Sequence, residues 1–272
     1  MTRVNGATLD GVSATALWTL RNRAAFAVGP RPLIEDPYAV RAHGSIDYDW
    51  DRFGPPSQSH PLRALALDEE IGRYLAHRPG ATVVALGEGL QTTFWRVGAP
   101  RARWLSVDLA PVMDARAALF PTDDDRMVPL SMSALDLAWL DEVQDPSAGV
   151  FVSAEGLFMY LERDDVLALV AECARRFPGG RLLFDSIPPW FSRRTLKGLK
   201  LTPRYTAPGM PTAFTPSQTV RVFEALPGVA SVRSVDVPLG RGLWGSRILR
   251  SVASLPPVRE FGPSIALLSL AG

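Results

Sequence analysis

A chain of 272 residues with 47% hydrophobic residues can bury one sizeable core, and a formal net charge of +1 without a basic arm gives no electrostatic reason to expect nucleic acid as a partner. One cysteine, Cys173, excludes an internal disulfide and fits a reducing compartment. The N-terminus carries no signal pattern, and no apolar run reaches the ~18 residues of a membrane span, so a cytoplasmic protein is expected.

In chain order, "SATALWTLRNRAAFA" spaces its apolar residues three and four apart, which predicts a helix with Ser13 as N-cap. A Pro-, Gly- and aromatic-rich wrapping segment follows, and "HPLRALALDEEIGRYLAHRPG" predicts a second long helix that stops at Pro79-Gly80. From Thr82 the rhythm changes. "TVVALG", "RWLSVDL", "RMVPLSMSAL", "GVFVSAE" and "RLLFDSI" read as strands, separated by helical segments of which "ERDDVLALVAECARRFPGG" is the strongest. This alternation predicts an α/β fold with a doubly wound, mostly parallel sheet covered on both faces. "TPSQTVRVFEALPG" reads as a helix, and "VASVRSVDVPLG" and "SIALLSLA" as two last strands paired antiparallel. The expected organisation is one domain, 1–272. Within it lie a helical cap (1–80), a ligand-binding core (81–188), a lid insertion (189–214) and the C-terminal part of the sheet (215–272).

Ligands of such sheets bind outside the carboxyl ends of the strands. Gly87 and Gly89 stand there after the first strand, where glycine lets a backbone approach a ligand closely. Asp108 ends the second strand 19 residues after Gly89 and can accept both hydroxyls of a ribose, which points to a nucleoside-containing ligand. A dinucleotide would set its pyrophosphate at the helix N-terminus, next to Glu88. Two like charges ~4 Å apart cost roughly 4 kcal/mol at an effective dielectric of 20. The third glycine of the dinucleotide pattern is replaced by Thr92. S-adenosylmethionine has no phosphate and carries a sulfonium and an ammonium, so an acidic turn favours it.

The segments "VVALGEGLQTTFWRV", "WLSVDLAPVMDAR", "SALDLAWL" and "SAEGLFMYLERDDVLALV" resemble the leucine carboxyl methyltransferase family, and in particular its bacterial tetracenomycin-type O-methyltransferases. The N-terminal "TALWTLRNRAAFAVGPRPLIEDPYA" and "RALALDEEIGRYL" match the same branch, so the resemblance covers most of the chain. It implies a class I methyltransferase sheet with S-adenosylmethionine as donor and S-adenosylhomocysteine as product. By motif, it implies that Arg63 binds the donor's carboxylate. Gly87, Glu88 and Gly89 give room to its methionine part, and Asp108 with Leu109 holds the ribose. Asp136 with Leu137 addresses the adenine, and Glu155 lies near the amino group, with Tyr160 on the same turn. The family's Gly-Leu-Asp-Thr-Arg turn here reads Gly89-Leu90-Gln91-Thr92-Thr93, so an acid and an arginine are missing. Of the two carboxylates left, Glu88 is expected on an exposed turn and Glu155 at the end of a buried strand.

The other residues have plainer readings. Cys173, Trp95 and Trp139 read as core, His77 as a helix-end residue, and Asp136 alternatively as an N-cap. His43, His60 and His77 have no metal-ligand spacing. Transfer from an activated donor needs alignment above all. A carboxylate acceptor is ionised at pH 7 and needs no base, whereas a phenol or alcohol would gain from one. His60 and Tyr160 are the candidate catalytic groups, with His43 and Tyr48 behind them. The expected acceptor is an acidic or aromatic small molecule of secondary metabolism, bound between the sheet and a lid of residues 40–60 and 189–214. In that lid Arg193, Arg194, Lys197, Lys200 and Arg204 could attract an acid. The expected partner is this acceptor, with no nucleic acid and no membrane, and the chain is expected as a monomer or a homodimer. Methylation of a protein C-terminus, or a sheet that binds the donor without methylating, are the competing readings.

Overall fold

The computed structural model describes residues 3–98 and 101–272. The run Thr-Val-Val-Ala-Leu forms strand β1 (Thr82–Leu86), buried at every position, as a parallel strand covered on both faces must be. Around it lie β2 (Arg103–Asp108), β3 (Met127–Ser131), β4 (Val150–Ala154), β5 (Arg181–Ser186), β6 (Val229–Val235) and β7 (Ser264–Leu270). The sheet order is β6-β7-β5-β4-β1-β2-β3. All neighbours are parallel except β7, which runs antiparallel to both β5 and β6. This is the expected doubly wound α/β sheet with an antiparallel last strand.

Alternation along the strands divides the core. Val83 and Ala85 face α3 (Ser59–His77) and α4 (Thr93–Val97), meeting Leu67, Ile71 and Phe94. Val84 and Leu86 face the opposite layer, with Val166 and Val170 of α6 (Arg163–Arg176) and Phe223 of α8 (Pro216–Glu224). Cys173 and Trp139 are buried in that layer as expected. Trp139 Nε1 donates to the Ala134 carbonyl at 3.0 Å. Burial pushes the Cys173 thiol up to about 12, so it is an inert core group.

Before the sheet, α1 (Thr15–Phe26) and α2 (Pro37–Ser45) pack on each other and on α5 (Ala110–Leu119). The expected Ser13 cap does not form: α1 starts at Thr15 after Ala14, with no side-chain cap. After β5 come α7 (Pro189–Leu196) and a small hairpin of Lys200–Thr202 and Tyr205–Thr206. The connection from β6 to β7 is a long excursion that holds α9 (Arg247–Ala253) and α10 (Pro256–Arg259). No described helix is long and apolar enough to cross a membrane.

Candidate active site

The order of strands reverses at β1, whose neighbours are β2 and β4, and ligands of doubly wound sheets bind at such a point. Gly87 and Gly89 leave β1 with φ +59° and +58°. L-residues avoid this left-handed region, so the two glycines let the chain turn under the crevice. Asp108 closes the turn: its Oδ2 accepts from the Gly89 N–H at 2.6 Å and its Oδ1 from the Leu109 N–H at 2.7 Å. Burial raises the pKa of this carboxyl, opposed by those two hydrogen bonds. Each oxygen keeps lone pairs for further donors.

Glu88 is not exposed. It is buried at 5% exposure, takes hydrogen bonds from Trp104 Nε1 (3.0 Å) and Ser106 Oγ, and forms an ion pair with Arg116 Nη2 at 2.9 Å. That approach is off the N–H axis, so it is an ion pair and not a directed hydrogen bond. Arg116 lies on α5, and its Nη1 donates to the carbonyls of Gly89 and Gln91. The expectation of an exposed turn failed because no local pattern points to a partner on α5, beyond α4 and β2.

The turn that lacks the acid and the arginine is bonded to residues outside it. Thr92 Oγ1 donates to Asp36, while Arg96 donates to Asp36, Asp68 and the hydroxyls of Thr92 and Thr93. Arg23, fully buried on α1, bonds Asp36 at 3.2 Å and the Leu90 carbonyl at 2.6 Å. Its pKa is lowered mainly by burial; Arg23 and Arg96 hold the Asp36 carboxyl below the usual range against the desolvation that burial imposes.

Arg63 projects from α3. Its Nε donates to Glu155 Oε1 and its Nη1 to Asp185 Oδ2, both at 2.8 Å. Asp185, the penultimate residue of β5, also accepts from the Gly156 N–H at 2.5 Å. The remaining guanidinium nitrogen, Nη2, faces Gly156, where a Cβ would stand 3.2 Å away. Asp185 was not anticipated, although it bears the same mark as Glu155, a carboxylate at the end of an apolar strand.

A cavity of about 1370 Å³ connects these groups, lined at one end by Arg63, Gly87, Glu88, Gly89, Asp108 and Glu155. Leu109, His60 and Tyr160 line it too. Asp136 and Leu137 are not among its lining residues; Met132, Ser133 and Ala134, just before them, are. Asp136 instead caps the 3₁₀ helix Leu137–Glu142 by accepting from the Ala138 N–H. The far end is apolar, formed by Met159, Ile187, Trp190, Phe191 and Met210 with the first turns of α1. Its roof is the β6–β7 excursion. Of the proposed lid, residues 40–58 and the basic residues Arg193 to Arg204 do not line the cavity. His43 and Tyr48 stack around Trp50 instead, and Arg204 pairs with Asp49.

His60 Nδ1 lies 2.6 Å from Asn22 Nδ2, and the ring meets Trp18 edge-on at 4.9 Å. Burial, with Arg63 and Arg23 nearby, pulls its pKa well below the ordinary value and keeps it neutral. Burial pushes the Tyr160 phenol up to about 12, opposed by a hydrogen bond with Thr15, so it stays protonated at neutral pH.

Residues 16–174 match the family described as leucine carboxyl methyltransferase. The chain belongs to this family. It is 36% identical over 190 residues to the tetracenomycin polyketide synthesis O-methyltransferase TcmP of Streptomyces glaucescens, covering 68% of this chain and 69% of that one. An S-adenosyl-L-methionine-dependent methyltransferase, dpfgK, of Gibberella zeae is 27% identical over 201 residues, covering 66% of this chain and 67% of that one. Among solved structures, a putative methyltransferase from Thermobifida fusca superimposes with a TM-score of 0.55 at 19% identity, over 93% of this chain and 94% of that one. The protein is therefore an S-adenosylmethionine-dependent methyltransferase of the leucine carboxyl methyltransferase family. The residues present suit the donor. Arg63, Glu155 and Asp185 together carry one negative charge, against the single net positive charge of S-adenosylmethionine.

Proposed function

We propose that the protein transfers the donor's methyl group to a carboxylate or acidic hydroxyl of a small, largely apolar acceptor of the polyketide type. The observation that carries this reading is the continuity of one cavity, from the Gly87–Gly89 turn to an apolar chamber walled by Met159, Ile187, Phe191 and Met210, with the exposed Leu243 and Trp244 at its rim. Deep, apolar-lined cavities suit small molecules. The name of the Streptomyces relative, a polyketide O-methyltransferase, supports the same acceptor class. In this reading Arg63 holds the donor's carboxylate through Nη2, Asp108 its ribose, and Glu155 its ammonium. The methyl supplied by the bound donor needs an acceptor oxygen held in line behind it, and positioning is the protein's main task.

The test is transfer of label from methyl-labelled donor to a panel of aromatic polyketide acids and phenols, with peptides bearing free C-termini alongside. Label is expected in the small molecules, as an alkali-labile ester from acids or a stable ether from phenols. Label found only in the peptides would replace this reading with protein carboxyl methylation.

A further inference from the structure

We propose that His60 is a fixed hydrogen-bond donor in the acceptor chamber, not a base, and that its Nε2–H selects acceptors whose reacting group is a carboxylate. This rests on the O-methylation read above and names the role of one residue in it.

The backbone N–H of Ser57 donates to Asn22 Oδ1 at 3.2 Å. That bond fixes the orientation of the Asn22 amide, so the group facing His60 Nδ1 at 2.6 Å is the NH₂. An NH₂ only donates. Nδ1 must then hold a lone pair, and the single proton of the neutral ring sits on Nε2. The opposite tautomer would set N–H against NH₂; rotating Asn22 to relieve this would set the Ser57 N–H against NH₂ instead. Asn22 is fully buried, so neither mismatch can be relieved by water.

The surroundings also keep the ring uncharged. Trp18 packs against it from α1. The charged groups facing it are Arg23 of α1 and Arg63 of its own helix, both cationic. Their carboxylate partners, Asp36, Glu155 and Asp185, are engaged by those arginines. The ring lines the cavity, and Nε2 has no protein partner among the described residues.

A neutral phenol or alcohol would find no proton acceptor at this place. A carboxylate has two oxygens. One takes the Nε2–H bond, which anchors the group, and the other attacks. The new O–CH₃ bond forms as the S–CH₃ bond breaks, the bonding pair leaves on sulfur, and no proton moves.

The test has two arms. Long-range ¹H–¹⁵N correlation spectra of histidine-labelled protein, with His60 assigned by its loss in His60→Gln, are expected to show a neutral ring protonated at Nε2. That state should persist between about pH 6 and pH 9. This arm needs no acceptor, so its failure is distinct from failure of the O-methylation reading. The second arm is Asn22→Asp, nearly isosteric, whose carboxylate would accept from Nδ1–H and leave Nε2 as a lone pair. About a tenfold or greater loss of kcat/KM toward a carboxylic acceptor is expected, with a new pH dependence and unchanged donor affinity. His60→Gln, which keeps an N–H donor, should retain more activity than His60→Ala. A wild-type ring protonated at Nδ1 or at both nitrogens would overturn the proposal. So would an Asn22→Asp enzyme with wild-type kcat/KM and pH profile.

Discussion

Glu88 and Glu155 stand at the ends of adjacent buried strands yet do different work. Glu88 balances Arg116 inside the turn. Glu88→Gln leaves that guanidinium buried without its counter-charge, which costs about 3–5 kcal/mol. A drop of that size in unfolding free energy is expected in urea titrations. Glu155 and Asp185 instead share Arg63 at the cavity wall. Glu155→Gln should therefore weaken donor binding in calorimetry by at least ~1.5 kcal/mol, the lower figure for a hydrogen bond to a charged group, and should disturb stability less than Glu88→Gln. Cys173 sets an alkaline limit. Its folded pKa of about 12 exceeds the ordinary 9.0, so the unfolded chain loses this proton first. The stabilisation is complete below about pH 9 and falls as pH rises toward 12. Tyr160 adds to the fall only above 10. Cys173→Ala should flatten the decline in unfolding free energy between about pH 9 and 10.

At the level of elements, the strands and their terminal carboxylates were legible because each is an apolar run stopped by an acid. Asp108 and Glu155 could be placed from this alone. Asp185 bears the same mark, but the apolar Ile187 and two prolines after it blur where β5 ends. The roof was not legible. Its helices α9 and α10 are short and rich in Ser, Arg and Pro, and Ile248 of α9 is exposed, as are Leu243 and Phe261 on either side of the two helices, so no period of burial marks them. One local signal was present: Ser246 caps α9 by accepting from the Leu249 N–H at 3.3 Å. Along α9, Leu249, Arg250 and Ala253 line the cavity while Ile248 and Val252 do not. Leu249→Asp and Trp244→Ser should raise the acceptor's KM several-fold and leave the donor's Kd within error. Steady-state kinetics beside donor calorimetry would check this; an equal loss of both affinities would remove the roof from the acceptor site.

Across the whole molecule, one buried charge network joins parts that are distant in sequence. Asp36, between α1 and α2, meets Arg23 of α1 and Arg96 of α4, and Arg96 also holds Asp68 of α3. The N-terminal helices are thus bonded to the glycine turn of the sheet through Thr92 and Leu90. Asp36→Ala should strand the fully buried guanidinium of Arg23, while Arg96 keeps Asp68, and cost about 3–5 kcal/mol. In the wild type, far-UV dichroism and tryptophan fluorescence should report one coincident unfolding transition. The roof is attached in another way. It leaves and re-enters the sheet at neighbouring positions, with Val235 opposite Ile265 in antiparallel register, whereas the strand-end groups proposed to hold the donor lie beside β1, β2, β4 and β5. Its two ends are thus closed by a hairpin whatever lies between them, and lengthening such a loop costs little. The excursion should therefore behave as an exchangeable cassette. Relatives could diversify in what they methylate by rewriting residues 236–263 alone, and a roof grafted from one family member to another should carry acceptor preference with it.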